Sequence, residues 1–261
     1  MKISIIIINY NTEKYIIDLL NSIGGKLDYP YEIIIVDNNS KDKLDINKFS
    51  SFSNTRVFSL TKNLGFGGGN NFGAKQATGE ILWFLNPDTL IQDQSINKAI
   101  NFLTDHKECG VVSPLLYNDL GLTELQDDMI ANFQTLKTLI LRTTRPEFAL
   151  DMEYSEADMV VAASIFIRRD LFERIGGFDE KIFMFMEDDD LCYRVKKEGL
   201  KIYIYNGARI IHLKGKSIKK DAERKRMYYR SQNYFWQKHY GAFWALVMRI
   251  IRFPRKLIST L

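Results

Sequence analysis

The sequence predicts an α/β protein: a mostly parallel sheet with helices on both faces, followed by a C-terminal helical extension. Three observations carry this prediction. Short β-branched runs alternate with helical patterns through the first half, as strand–helix–strand units require. Two of the apolar runs end in acidic or turn-forming residues, Asp37 and Asn86-Pro87-Asp88, where ligands bind in such sheets. The last quarter then changes from acidic to strongly basic.

The elements follow in order. Lys2–Asn9 is an apolar strand; its run from Ile3 to Ile8 is too short for a leader and has no small-residue cleavage site. Thr12–Ile23 is helical, with Tyr15, Ile16, Leu19, Leu20 and Ile23 on one face. Glu32–Val36 is a second strand ending in Asp37, Arg56–Leu60 a third, and Ile81–Leu85 a fourth. Gln94–Leu103 reads as a helix and Gly110–Leu115 as a strand. Residues 117–157 are expected to hold a mobile loop and a helix around Phe133–Leu141. Strand-like Met159–Ile167 and a short helix at Asp170–Ile175 come next. The apolar segment Ile182–Met186 then runs into Glu187-Asp188-Asp189-Asp190, a helix spans Asp190 to Glu198, and Arg209–Leu213 is a strand.

With 261 residues, 46% hydrophobic and 26% charged, the chain suits one large domain or a domain with an appendage. Cys109 and Cys192 form neither a metal-ligand spacing nor a disulfide framework, which points to a reducing, cytoplasmic setting. No stretch approaches the roughly 20 apolar residues of a membrane-spanning helix. Charge is uneven: residues 1–200 carry 21 Lys/Arg against 30 Asp/Glu, and residues 201–261 carry 15 against 2. The basic quarter is suited to an anionic partner. Nucleic acid is disfavoured, because the acidic first 200 residues repel a phosphate backbone.

Several residue groups can carry chemistry. Asp37 closes a buried strand, placed either to accept a hydrogen bond from a pyrimidine N–H or to cap a turn with Asn38, Asn39 and Ser40. The Gly-rich stretch Asn63-Leu64-Gly65-Phe66-Gly67-Gly68-Gly69-Asn70-Asn71-Phe72-Gly73 does not follow the first strand, so it is no dinucleotide fingerprint. It reads either as a loop whose backbone approaches a nucleotide or as tight packing. Asp88 is placed to hold Mg²⁺ or Mn²⁺, or to form a plain proline turn. The carboxylates at 187–190 repel one another, which favours raised pKa values or a compensating cation, and one of them can act as general base. Helix N-capping is the structural alternative for Asp189 and Asp190. His212 ends a strand and becomes a metal ligand only if Asp88 and the acidic run converge on it.

Taken in order, these segments resemble the family-2 glycosyltransferases, especially the bacterial rhamnosyltransferase-like branch. The matching pieces are Ser4–Asn11, Val36–Ser40, Asn63–Asn71, Leu85–Thr89, Gly176–Glu180 and Met186–Arg194, and the likeness covers roughly residues 3–213. The resemblance implies an inverting enzyme with the GT-A fold: a Rossmann-like glycosyltransferase domain over 1–213. Within it, residues 1–116 would serve the nucleotide-sugar and residues 117–213 the acceptor. It implies donor contacts at Asn9, Tyr10, Asn11, Asp37, Asn63, Gly65, Phe66, Asn70, Asn86 and Asp88. Asp37 would meet the base, Asp88 and His212 the metal, and Asp188 would be the catalytic base supported by Glu187 and Asp190. The family's metal motif is commonly Asp-X-Asp; here Asn86 replaces the first acid, and an amide oxygen ligates more weakly than a carboxylate. Ala162-Ala163 stands where glycine-alanine is common. The donor implied is dTDP-rhamnose, UDP-galactose or a UDP-N-acetylhexosamine, and the acceptor a glycan or lipid-linked glycan of surface polysaccharide synthesis.

Residues 214–261 form the basic extension. Lys214, Lys216, Lys219, Lys220, Arg224, Lys225, Arg226 and Arg230 suit a loop over a diphosphate. Ala242–Lys256 is amphipathic, with Phe243, Leu246, Val247, Ile250, Ile251 and Phe253 on one side, Arg249, Arg252 and Lys256 opposite, and Trp236, Tyr240 and Trp244 nearby. This suits an anchor at an anionic membrane surface, peripheral at the inner face of the cell membrane, or a helix docked on protein. The competing enzyme reading is a nucleotidyltransferase, but Asn9-Tyr10-Asn11-Thr12 lacks the basic residue its first loop would carry. An inactive, scaffold-type homologue is the other alternative.

Overall fold

Nine strands form one sheet in the order β3-β2-β1-β4-β8-β6-β9-β5, with β7 pairing β9. In this computed structural model, residues 1–118, 121, 152–213 and 222–258 are described, the last seven by backbone alone. The strands are β1 (Ile3–Asn9), β2 (Tyr31–Asp37), β3 (Thr55–Ser59), β4 (Ile81–Leu85), β5 (Thr89–Ile91), β6 (Cys109–Tyr117), β7 (Tyr154–Ala157), β8 (Ser164–Arg168) and β9 (Lys201–His212). The helices are α1 (Glu13–Ile23), α2 (Gly65–Gln76), α3 (Ile96–Asp105), α4 (Arg169–Arg174), α5 (Glu187–Lys197), α6 (Ala222–Tyr240) and α7 (Ala242–Ile258). The sheet is parallel through β3-β2-β1-β4 and mixed beyond, where β8 runs antiparallel to both β4 and β6.

The apolar strands of the first half are covered on both faces. Ile3, Ile5 and Ile7 of β1 pack with Ile16, Leu19 and Leu20 of α1 and Ile96, Ile100 and Leu103 of α3. Ile6 of the same strand points the other way, into a core shared with Ala74 of α2, Leu191 and Val195 of α5, and Phe235 and Trp236 of α6. Alternate side chains thus serve opposite cores, which is why Ile5 to Ile8 read as an unbroken isoleucine run.

Several expectations shift at this level. The Gly-rich stretch expected as a loop is helical from Gly65, although glycine is a poor helix former. Tertiary packing overrides propensity: a Cβ at Gly73 would lie 2.5 Å from Ile6 Cγ2, so α2 reaches the sheet only without a side chain there. The strand expected over Met159–Ile167 begins at Ser164, because Ala162 and Ala163 form a turn instead. The helix expected from Asp190 starts at Glu187. β9 is longer than the expected strand, and β5, β7 and α6 are additional. The helix expected around Phe133–Leu141, and the basic residues 214–220, lie outside the described residues.

The C-terminal helices belong to the same core. Phe235 and Trp236 of α6 are fully buried, and Ala245 and Met248 of α7 are buried beside them. Trp236, which the sequence sets beside the amphipathic helix in an anchor-like pattern, is an interior residue that shares the inward face of α6 with Ser231 and Phe235. The opposite face of α7 stays exposed: Phe243 at 68%, Leu246 at 54% and Ile250 at 64%.

Candidate active site

The site is built outside the carboxyl ends of β1, β2 and β4. Parallel register sets Asn9 beside Asp37, each the last residue of its strand. Asn9 Nδ2 donates to Asp37 Oδ1 at 2.8 Å, and Ser40 Oγ donates to the same oxygen at 2.5 Å. No described residue donates to Asp37 Oδ2. Asn9 Oδ1 also accepts from Thr12 at the start of α1. Asn11 and Asn39 take left-handed backbone conformations that asparagine tolerates better than most residues. Asn11 N donates to Ser40 Oγ and Asn11 Oδ1 accepts from Lys41 N, so the loops after β1 and β2 are clipped together. Tyr10 stands exposed at their rim.

The start of α2 forms the next wall. Asn38 ties β2 to it, donating from Nδ2 to Gly65 O and accepting at Oδ1 from Leu64 N. Asn63 Oδ1 accepts from Gly65 N, and Asn70 Nδ2 donates to Phe66 O. Gly65 has φ +75°, and a Cβ there would lie 2.2 Å from Phe183 O. That contact brings the segment preceding α5 directly onto the start of α2. Phe66 N donates to Phe183 O at 3.0 Å. Asn71 holds Phe178 by both its backbone N–H and C=O.

The turn after β4 carries Asn86 and Asp88. Asn86 N donates to Ala163 O at 2.8 Å, and no described residue bonds its side chain. Asp88 is buried, with Oδ1 3.5 Å from Nε2 of buried His212. The sheet creates this meeting, because β5 runs antiparallel to β9 with Thr89 opposite His212. Among the described residues no group of three or more His, Cys, Asp or Glu side chains converges to hold a metal. Asp88 and His212 could supply two ligands to a divalent cation only if its other ligands came from phosphate oxygens and water.

The acidic run divides into different environments. Asp188 is the half-buried one; Glu187, Asp189 and Asp190 are buried. Asp188 Oδ2 accepts from Ala162 N at 3.3 Å and Oδ1 from Asp189 N at 3.0 Å. Ala162 and Ala163 therefore bridge Asp188 to Asn86 through one dipeptide. Burial, then the neighbouring Asp188, pushes the Glu187 carboxyl well above its ordinary range, and its Oε2 has no hydrogen-bond partner. Burial would raise Asp190 too, but hydrogen bonds and charge from His239, Arg194 and Lys238 hold it at about 2. Those donors lie 2.7, 2.7 and 2.6 Å from its oxygens.

The structure thus brings Asn9 and Asp37 together, Asp88 and His212 together, and Asn86 and Asp188 onto one dipeptide. It also adds residues that sequence patterns do not single out. Asn38 and Ser40 look like turn formers alone, and Ser231, Lys238 and His239 carry no signal beyond a generally basic helix.

The sequence pattern described as glycosyl transferase family 2 matches residues 4–176, and one described as N-terminal domain of galactosyltransferase matches residues 144–216. The chain is 26% identical over 204 residues to the low-salt glycan biosynthesis hexosyltransferase Agl10 of Haloferax volcanii, covering 77% of this chain and 63% of that protein. It is 26% identical over 221 residues to rhamnosyltransferase WbbL of Escherichia coli K12, covering 80% and 82%. In three dimensions it resembles GalNAc-T7, solved with UDP, GalNAc and Mn²⁺: the TM-score is 0.66 at 16% identity, over 90% of this chain and 50% of that one. The chain thus spans less than two thirds of the Haloferax protein and half of the GalNAc-T7 chain.

Proposed function

Since this chain belongs to glycosyl transferase family 2 and carries a GT-A fold, we propose that it moves rhamnose or a hexose from a nucleotide-diphosphate donor to a hydroxyl of a glycan or lipid-linked glycan, with inversion. The observation that carries this reading is the dipeptide link between Asn86 and Asp188. It sets a solvent-reachable carboxylate beside the turn that presents Asp88.

In this reading Asp37 Oδ2 accepts from the base, while Asn9 and Ser40 keep that carboxylate oriented. Asp188 takes the proton of the acceptor hydroxyl as its oxygen bonds to the anomeric carbon from the face opposite the nucleotide. The bond from that carbon to the diphosphate breaks, and the nucleoside diphosphate leaves with the electron pair. Burial, then the neighbouring Asp188, pushes the Glu187 carboxyl upward, which disfavours a second negative charge beside Asp188. Asp88 and His212 would hold Mg²⁺ or Mn²⁺, with the unbonded Asn86 side chain alongside; the cation, when bound, supplies charge that stabilises the departing diphosphate. Names of relatives, a rhamnosyltransferase and a hexosyltransferase, support the donor class.

A thermal-shift screen with dTDP-rhamnose, UDP-galactose and UDP-N-acetylglucosamine, each with and without Mn²⁺, tests this function. One donor should raise Tm more with Mn²⁺ than without, and Asp88→Ala should abolish the Mn²⁺ increment. No shift with any donor would overturn the reading in favour of a scaffold.

The exposed face of α7 supports a peripheral membrane location for the same enzyme. Phe243, Leu246 and Ile250 recur at helical spacing on the face away from the core, with Arg249, Lys225, Arg226 and Arg230 on α7 and α6 adding positive charge. No described helix is long and apolar enough to cross a membrane. Co-sedimentation with anionic vesicles should fall in a Phe243→Ser, Ile250→Ser variant; unchanged binding would remove α7 as the anchor.

A further inference from the structure

We propose that α6 is a clamp for the catalytic base, with Lys238 and Ser231 as its positioning residues; this rests on Asp188 being that base. The segment from Asp179 to Asp190 leaves the turn after α4, exposes Phe183, and turns back into the core at Met186 to begin α5. Lys238 Nζ lies 2.7 Å from Asp179 Oδ2 and 2.6 Å from Asp190 Oδ1, so one ammonium joins the two ends of this excursion. Ser231 Oγ donates to Met184 O at 2.7 Å, holding its tip. His239 Nε2, 2.7 Å from Asp190 Oδ1, and Tyr234 OH, 3.0 Å from Asp179 Oδ2, reinforce the two ends. The Arg224 guanidinium lies 5.4 Å from the Phe185 ring centroid, and Tyr228 meets that ring edge-on.

The excursion needs holding. Phe185 and Met186 are consecutive non-glycine residues at φ 66° and 71°. Such left-handed conformations persist only where the surroundings over-determine them. Met186 is the N-cap of α5 and makes no side-chain capping bond, so the helix start does not secure itself. α2 grips one side through Phe66 and Asn71, and α6 grips the other. Asp188, two residues beyond the strained pair, is aimed by whatever holds that pair. α6 therefore acts on the reaction through the backbone of residues 183–188, without touching the reacting atoms.

The full chain carrying Lys238→Met, Lys238→Arg or Ser231→Ala tests the clamp, using whichever of dTDP-rhamnose or UDP-galactose is active. Lys238→Met should lower kcat about 10-fold or more and Ser231→Ala several-fold, with donor KM within about 2-fold, because small misplacements of a catalytic group act on turnover. Lys238→Arg should recover most of the lost kcat. Hydrogen exchange should quicken in peptides covering 183–190 and stay unchanged in β1, β2 and β4. Unchanged kcat and exchange in these variants would overturn the clamp. So would a parallel loss of kcat and donor affinity with faster exchange throughout, which marks general destabilisation. If Lys238→Met does not fold, Ser231→Ala decides alone. Asp188→Asn, measured alongside, separates the two ideas: normal turnover there sinks the base assignment, while the exchange data still judge the clamp.

Discussion

Asp37 is held by its own sheet, whereas Asp188 is held by a segment gripped from outside the sheet. At Asp37 the partners are Asn9, its register neighbour on β1, and Ser40, three residues on; strand pairing places the first and the turn after β2 the second. At Asp188 the backbone arrives through two left-handed residues, and its bracing comes from Ala162, Ser231 and Lys238 on other elements. The Asp37 side, the proposed donor site, is thus preorganised by the core itself, whose strands are buried on both faces. The Asp188 side, the proposed catalytic one, depends on long-range polar contacts and is the more easily disturbed.

The largest test of this contrast is a pair of isosteric changes. Asp188→Asn should lower kcat by a factor on the order of 10² or more while donor binding holds. Asp37→Asn should do the reverse, raising donor KM about 10-fold, the worth of one hydrogen bond to a charged group, with kcat little changed. Steady-state kinetics on both variants would undo the separation if either changed the other's parameter.

Gly65 is where the two sides touch, so Gly65→Ala should damage both. A Cβ there meets Phe183 O at 2.2 Å in a left-handed backbone. A cost of about 2 kcal/mol, or a Tm lowered by roughly 4–8 °C, is expected, with a fall in kcat as Phe183 moves. A melt and a rate assay check this; an unchanged Tm would mean that the two regions are not in register through this contact.

The last effects are in pH dependence, where two acids of one helix turn have opposite signs. Asp190 is held at about 2, below its ordinary range, so its stabilisation is present above pH 4 and is lost as pH falls toward 2. The difference is worth about 2 kcal/mol. Glu187 is raised, so its contribution is greatest below the ordinary glutamate range and declines as pH rises through it. Thermal melts from pH 2 to 8 should show Glu187→Gln matching the parent in acid and exceeding it near neutrality. Asp190→Asn should be weaker at neutrality with a flatter acid limb.

Much of the proposed donor side is legible in the sequence. Apolar periodicity alone places Asp37 and Asp88 where strands end; in the structure Asp37 is the last residue of β2 and Asp88 lies in the turn between β4 and β5. The Gly-rich stretch reads as a loop but folds as a helix, because glycine's low helix propensity says nothing of how closely a backbone must approach Ile6. The four-acid run is recognisable as unusual, but its division is not. Adjacent carboxylates look alike in sequence until burial isolates Glu187 and the cations of α5 and α6 compensate Asp190.

Local sequence is enough to say which residues end strands, which stretch is acidic and which helix is amphipathic. Those properties follow from periodicity and composition within a few turns of chain. That His212 meets Asp88, that Ala162-Ala163 join Asn86 to Asp188, and that Lys238 closes the segment before α5 emerge from the folded arrangement alone. Such contacts are set by antiparallel pairing and helix docking between residues 26 to 124 positions apart, and no local pattern encodes a partner at that distance.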